Sequence, residues 1–282
     1  VSKPAAPDEV LAAAARVVVM GDVHGEAMAV ITALQAAART GVTVILSVGD
    51  FGIGPWPGER KSFTKAIDRW LTRLGLWLFV TPGNHENYDR IDAAPRDESG
   101  AIYLGSQLRA LPRGHRLTVG GRTVGSLGGA VSVDVGPRRQ PGRTWWPQER
   151  ILDSDIEALG SEPLDILITH EVPAAVPVES QLQVPPKIAA SAHRGRELLD
   201  RAVATTRPQL VLSGHWHQRV THTRTWDDGT TTRYEVLPEE NRRFNSVVLD
   251  LTDLEGELVD LREWSRSLHR ADRDSADVSE AR

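Results

Sequence analysis

"QLVLSGHWHQRV", residues 209–220, runs from an apolar stretch through one glycine into two histidines. Leu210 to Leu212 read as a strand buried on both faces, because the run is continuously apolar rather than alternating. His215 and His217 stand two apart. In extended chain, residues i and i+2 point to the same face, so both rings can reach one point in space. That leaves a choice between an exposed loop with two solvated imidazoles and a metal site.

The same punctuation recurs along the chain. "RVVVMGDVHG" (16–25), "VTVILSVGDFG" (42–52), "LWLFVTPGNHEN" (76–87) and "LDILITHEVP" (164–173) each end a short apolar run in a polar cluster. "RTVGSLGGAVSVD" (122–134) does so with glycines. Between these runs, "EAMAVITALQAAAR" (26–39) is Ala- and Leu-rich without internal Gly or Pro. "KSFTKAIDRWLTRL" (61–74) places Phe63, Ile67, Trp70, Leu71 and Leu74 on one helical face. "HRGRELLDRAVATT" (193–206) and "DSDIEAL" (153–159) are two further helices. Strand–helix alternation predicts an α/β fold with helices outside a sheet.

Two hairpins break the parallel pattern. One turns at Gly120–Gly121 and the other at Asp228–Gly229, each between β-prone runs. "NSVVLDLTD" (245–253) reads as a last strand. The expected architecture is therefore two mixed sheets packed face to face with helices outside. Residues 173–190 carry four prolines and little periodicity, and read as a loop. A single catalytic domain is expected over 12–262. The polar, charged segment 265–282 is expected to be disordered.

Composition narrows the chemistry. The 282 residues suffice for a substantial core, and 40% hydrophobic with 25% charged content is ordinary for a globular protein. A net charge of −5 gives no sign of a nucleic-acid or membrane surface, though a local basic patch is compatible with it. The chain has no cysteine, so a metal would be held by His, Asp, Asn or Glu. With no signal-peptide pattern at residues 1–22 and no apolar window of membrane-span length, the reading is a cytoplasmic protein.

In open α/β sheets, ligands bind beyond the carboxyl ends of strands. There the clusters place Asp22 and His24, Asp50, Asn84 and His85, His170, then His215 and His217, including five of the nine histidines. Singly, each has a plain structural explanation: Asp22 as a turn former, Asn84 as a helix cap, His170 as a core histidine. Together those explanations require five strand ends to choose metal-type ligands independently. Oxygen and imidazole donors without thiolate suit two divalent ions, with manganese, iron or zinc favoured. Two such ions need a shared anionic bridge, for which a carboxylate such as Asp50 is suited, and they clamp the attacking and leaving oxygens of a phosphoryl centre.

The order "GDVHG", "GD", "GNHE", "TH", "GHWH" across residues 21–217 resembles the calcineurin-like metallophosphoesterase superfamily. The resemblance implies an αββα sandwich and a dinuclear centre whose metal-activated hydroxide attacks phosphorus. It would place Asp22, His24 and His217 on one metal, Asn84, His170 and His215 on the other, and Asp50 between them. His85 would not be a ligand but would stabilise the phosphoryl group or protonate the leaving oxygen.

The chain departs from the protein Ser/Thr phosphatase branch of that superfamily. "GDFGIGP" (49–55) lacks the second Asp and the Arg of that branch's GDxxDRG segment, and Pro82 stands where it has an Arg before GNHE. Phosphate recognition must come from elsewhere, and "GGAVSVDVGPRRQPGRTWWPQERI" (128–151) is the candidate segment. Arg138, Arg139 and Arg143 are its candidates for neutralising phosphate oxygens, against the plain alternative of solvated arginines. Trp145 and Trp146 read as core rather than as a stacking platform.

Three functions follow for comparison. The first is a metal-dependent phosphoesterase acting on mono- or diesters, inclined towards diesters or broad specificity because the clamping arginines are missing. The second is a nuclease or nucleotide phosphodiesterase, against which the net charge of −5 counts mildly. The third is a non-catalytic scaffold, disfavoured because every ligand position and His85 are kept.

Overall fold

Five of the apolar runs form strands whose side chains alternate between two hydrophobic layers, which is why they carry no polar face. The computed structural model describes residues 7–54, 63–133, 139–180, 182–260 and 263. The chain opens with α1 (Pro7–Ala13), β1 (Arg16–Met20), α2 (Ala27–Arg39), β2 (Val44–Ser47), α3 (Phe63–Leu74), β3 (Trp77–Val80) and α4 (Tyr88–Ala93). Two short strands, β4 (Ile102–Tyr103) and β5 (Leu108–Ala110), lead to the hairpin β6 (His115–Val119) and β7 (Arg122–Leu127). Then come α5 (Asp153–Leu159), β8 (Ile166–Thr169), α6 (Pro186–Thr206) and β9 (Leu210–Ser213). The hairpin β10 (Val220–Thr225) and β11 (Thr231–Val236) precedes β12 (Ser246–Asp250) and β13 (Gly256–Val259).

The strands form a seven-stranded sheet, β13-β12-β1-β2-β3-β5-β4, and a six-stranded sheet, β10-β11-β9-β8-β7-β6. In the first, β1, β2, β3 and β5 are parallel; in the second, β7, β8, β9 and β11 are parallel. Alternation assigns the layers. Val17, Val19, Val44, Leu46, Trp77 and Phe79 meet Ile166, Ile168, Leu210 and Leu212 between the two sheets. Val18, Met20, Ile45, Leu78 and Val80 face α2 and α3 through Val30, Leu34, Ile67 and Leu71. Leu167 and Val211 face α5 and α6 through Ile156, Leu159, Leu198 and Val203. This is an αββα sandwich of two mixed sheets.

The hairpin at Gly120–Gly121 has φ of 56° and 78°, both positive as a two-residue type I′ turn requires. Three features differ from the sequence reading. The helix expected over 193–206 begins seven residues earlier, at Pro186, because paired prolines suit a helix start as well as a loop. The segment expected to be loop over 173–190 is therefore helical from 186 onward. Strands β4, β5 and β13 and helices α1 and α4 are too short to carry a clear period. Arg138 and the tail 265–282 lie outside the described residues. Among those described, no helix is long and apolar enough to cross a membrane.

Candidate metal centre

Parallel strands β1, β2 and β3 of one sheet and β8 and β9 of the other deliver their carboxyl ends to one place. Asp22 and His24 follow β1, Asp50 follows β2, and Asn84 and His85 follow β3. His170 follows β8, and His215 and His217 follow β9. The structure brings these together, and six of them form two groups of carboxylate and imidazole, with Asn84 and His85 beside them. Asp22, His24 and His217 form one, and Asp50, His170 and His215 form the other. Asp50 faces both: its Oδ2 lies 3.5 Å from His24 Nε2 and its Oδ1 lies 3.3 Å from His170 Nε2.

The loops reach this geometry through strained backbone. His24, Asp50, His215 and His217 have φ of 44°, 44°, 66° and 51°, values that cost non-glycine residues roughly 1–3 kcal/mol each. This revises the reading of the opening motif. His215 and His217 do not share a face because the chain is extended; β9 has ended at Ser213 and both residues are left-handed. The turn, closed by Trp216 N–H donating to Gly214 O at 2.7 Å, is what sends the two rings to different groups.

Two glycines make room for carboxylates. A Cβ on Gly83 would stand 2.2 Å from Asp50 Oδ1, and one on Gly214 would stand 2.1 Å from Asp22 Oδ1. Each motif's glycine thus clears space for another motif's acid. The carboxylates are then held by backbone: His85 N–H donates to Asp50 Oδ1 at 2.9 Å, and His215 N–H donates to Asp22 Oδ2 at 2.9 Å.

Further polar residues orient the imidazoles and the amide. His170 Nδ1 meets the Val48 carbonyl at 3.0 Å, which leaves Nε2 facing Asp50 and, at 2.9 Å, Asn84 Oδ1. Asn84 Nδ2 donates to Ser132 Oγ at 2.9 Å, so its carbonyl oxygen is turned towards the second group. Ser132 is fixed in turn by Glu149, through its N–H and its hydroxyl, both at 2.7 Å. Glu171 lies 3.7 Å from His215 Nε2 and accepts Trp216 Nε1–H at 2.7 Å. Glu86 accepts three backbone N–H groups, from Phe51, Gly52 and Ile53, and ties the loop after β2 to the loop after β3. The sequence reading missed Glu86, Ser132, Glu149 and Glu171. Adjacency to ligand positions was a signal for Glu86 and Glu171; Ser132 and Glu149 carry none.

The donor set fits a cation. Asp22 is fully buried, and its Oδ1 has no hydrogen-bond partner among the described residues. A buried carboxylate oxygen without a donor is costly unless a positive charge stands beside it. Burial opposes charge on His24, but Asp50, Asp22 and Glu240 outweigh it and push the imidazole up to about 10. Burial likewise opposes charge on His170, and Asp50 and Asp22 push it up to about 9. Burial alone would raise the Asp50 carboxyl, yet His170 and His85 hold it well below its ordinary value. The carboxylates thus retain protons on neighbouring imidazoles, protons that a bound metal ion would displace.

His85 sits at the rim, its side chain 35% exposed and its Nε2 4.0 Å from Asp50 Oδ2. The Arg139 guanidinium lies on it, with Nη2 2.8 Å from Nδ1 and 3.1 Å from Nε2, while Nη1 donates to the Thr144 carbonyl. The 128–151 segment therefore does reach the centre. Arg143 is exposed and donates to Gln140 instead. Trp146 is buried in the core layer, Trp145 is half-buried, and Phe51 packs on Phe63. A cleft of about 780 Å³ opens over Asp50, Asn84, His85, His215 and His217.

Comparisons with known proteins agree with the fold. The structure resembles TT1561 of Thermus thermophilus, with 15% identity, a TM-score of 0.54, and coverage of 88% of this chain and 99% of that one. It also matches a dimetal phosphatase from Danio rerio at 12% identity and a TM-score of 0.48, covering 84% and 93% of the two chains. Comparison with curated proteins returns no match. The family model described as calcineurin-like phosphoesterase matches residues 15–219. The chain belongs to the calcineurin-like phosphoesterase family and is a metal-dependent hydrolase of phosphoric esters.

Proposed function

We propose that this chain hydrolyses phosphate mono- and diesters at a dinuclear centre, with Asp22, His24 and His217 on one ion. Asn84, His170 and His215 hold the other, and Asp50 bridges them. The observation that carries this reading is Asp50 itself, whose two oxygens face imidazoles of both groups. Two divalent ions bound there, manganese, iron or zinc, would neutralise phosphoryl oxygens and lower the pKa of water. The protein's own contribution is positioning. Asp50 and Asp22 are locked by backbone N–H groups, and Asn84 presents oxygen rather than nitrogen because Ser132 accepts its amide.

His85, at the rim and facing the open cleft, accepts from Arg139 on Nδ1 and so keeps its proton on Nε2, from which it goes to the departing ester oxygen. Arg139, stacked beside it, orients the ring and offers its charge to a phosphoryl oxygen. Among the described residues Arg139 is the guanidinium seated on His85, and a site without the paired arginine clamps of the protein phosphatase branch is expected to accept diesters as well as monoesters. The test is the chelator-stripped protein resupplied with manganese and given p-nitrophenyl phosphate and bis-p-nitrophenyl phosphate. Turnover of both, abolished by chelation, is expected. A strong preference for the monoester overturns the diester part, and manganese-independent turnover overturns the metal part.

A further inference from the structure

The segment between β11 and β12 crosses from one sheet to the other over the ends of β9 and β1. The crossing is dictated by topology: β11 lies beside β9, and β12 lies beside β1. Its ends are stitched down by Leu237 N–H to Ser213 O at 2.8 Å and Gly21 N–H to Asn245 O at 2.8 Å. The chain therefore passes directly behind the two loops that carry His24 and His217. It brings two consecutive acids there, Glu239 and Glu240, in the sequence "PEEN" (238–241).

Each acid meets one imidazole on the nitrogen that faces away from the centre. Glu240 Oε2 lies 3.2 Å from His24 Nδ1, while His24 Nε2 faces Asp50. Glu239 Oε2 contacts His217 Nδ1, while His217 Nε2 lies 3.4 Å from Asp22 Oδ2. The second oxygen of each acid is also engaged. Asn241 Nδ2 donates to Glu240 Oε1 at 2.9 Å, and Arg242 Nε donates to Glu239 Oε1 at 3.1 Å. With both oxygens of both acids so occupied, neither acid is placed as a metal donor. Both lie beyond residue 219, where the match to the family ends.

We propose that Glu239 and Glu240 are positioning residues for the Asp22–His24–His217 site, fixing His217 and His24 with Nε2 towards the metal. This rests on the ligand assignment proposed above. A carboxylate on the outer nitrogen sets the tautomer, restrains the ring and raises its basicity, and removing such a partner weakens metal binding by about 10–100-fold. The effect falls on one ion of the two. His170 is held instead by the Val48 carbonyl, and His215 Nε2 has Glu171 at 3.7 Å.

The experiment is manganese titration of the full chain by equilibrium dialysis, alongside electron paramagnetic resonance to separate isolated from spin-coupled ions. Wild type is expected to bind two ions as a coupled pair. E239Q, E240Q, E239A and E240A are each expected to weaken one ion by about 10–100-fold, more for Ala than for Gln, and to leave an isolated-ion signal at limiting manganese. H170A is expected to weaken the other ion. Thermal melts of the metal-free variants monitor folding, and a purely structural role would lower these melts without selecting one ion. Two ions bound as tightly by all four glutamate variants as by wild type overturn the proposal while leaving the ligand assignment standing. Equal loss of both ions from the glutamate variants also overturns it. Wild type that binds fewer than two ions overturns the assignment and the proposal with it.

Discussion

Asp50 and His85 are neighbours across a 4.0 Å gap, but they are expected to fail differently when changed. Asp50→Asn removes the charge between the two groups, so metal content and turnover should fall together. His85→Ala leaves every assigned ligand in place, so metal content should hold while kcat drops by about 10²–10⁴-fold, the usual worth of a positioned acid. Metal analysis beside steady-state kinetics separates the two; a fully active His85→Ala would remove His85 from the chemistry. Gly83→Ala tests the cleared space. Its Cβ would meet both Asp50 Oδ1 at 2.2 Å and Asp50 N at 2.3 Å, so Asp50 must shift. Forced overpacking of this kind costs roughly 1–3 kcal/mol, and here it should also lower metal affinity, read by melting with and without manganese.

The convergence of the residues named from sequence as candidate ligands was legible because each follows a strand end, where the fold collects polar groups. The residues that orient them were not. Ser132 and Glu149 act through a loop whose path depends on where β7 ends, and Glu239 and Glu240 act through a crossover set by sheet order. Neither path has a period or a spacing to read. The spacing of His215 and His217 even pointed to the wrong local cause, extended chain rather than a left-handed turn, while still placing both at the centre.

At the scale of elements, legibility follows length and environment. Strands β1, β2, β3, β8 and β9 were readable because each contacts two hydrophobic layers and so shows unbroken apolar sequence. Strands β4 and β5 were not, because runs of two and three residues are too short to show a pattern, and side chains help to fix their corner. Asp97 accepts from Ser99 Oγ at 2.6 Å, from Ala101 N at 3.0 Å and from Arg109 Nε at 3.1 Å. Arg109 in turn lies over the Tyr103 ring at 3.9 Å and donates to the Gly105 carbonyl at 2.7 Å. Partial burial would raise the Asp97 carboxyl, yet the bonds from Ser99 and Arg109 outweigh it and hold it below its ordinary value. A depressed folded value contributes stability that is present above the ordinary carboxylate pKa and lost as pH falls through the folded one. Asp97→Asn should therefore cost roughly 1.5–3 kcal/mol at pH 7, with the gap to wild type narrowing below about pH 4. Urea melts at pH 7 and pH 3 measure both gaps; an equal gap at the two values would show that charge on Asp97 does not hold this corner.

For the whole molecule, the centre is also a junction. Asp22, His24, Asp50 and Asn84 come from one sheet, and His170, His215 and His217 come from the other. Between the sheets the contact is apolar and undirected, through residues such as Val19, Leu46, Ile168 and Leu212. The candidate ligands add directed links at one end of that interface, such as His215 N–H to Asp22 Oδ2 and His170 Nε2 to Asn84 Oδ1, and a cation would add to these by reconciling the buried carboxylates with one another. Metal binding should then stabilise the fold as well as supply chemistry. A ligand that binds only the folded state adds about 2.7 kcal/mol at a free concentration 100 times its Kd. Chelation should lower the melting temperature by several degrees, and manganese should restore it in a concentration-dependent way. Asp50→Asn should blunt that response, because it removes the carboxylate charge that faces imidazoles of both groups. A melting temperature indifferent to chelator in wild type would mean that the apolar interface alone fixes the sheets and that the ligand groups are set without help from the ion.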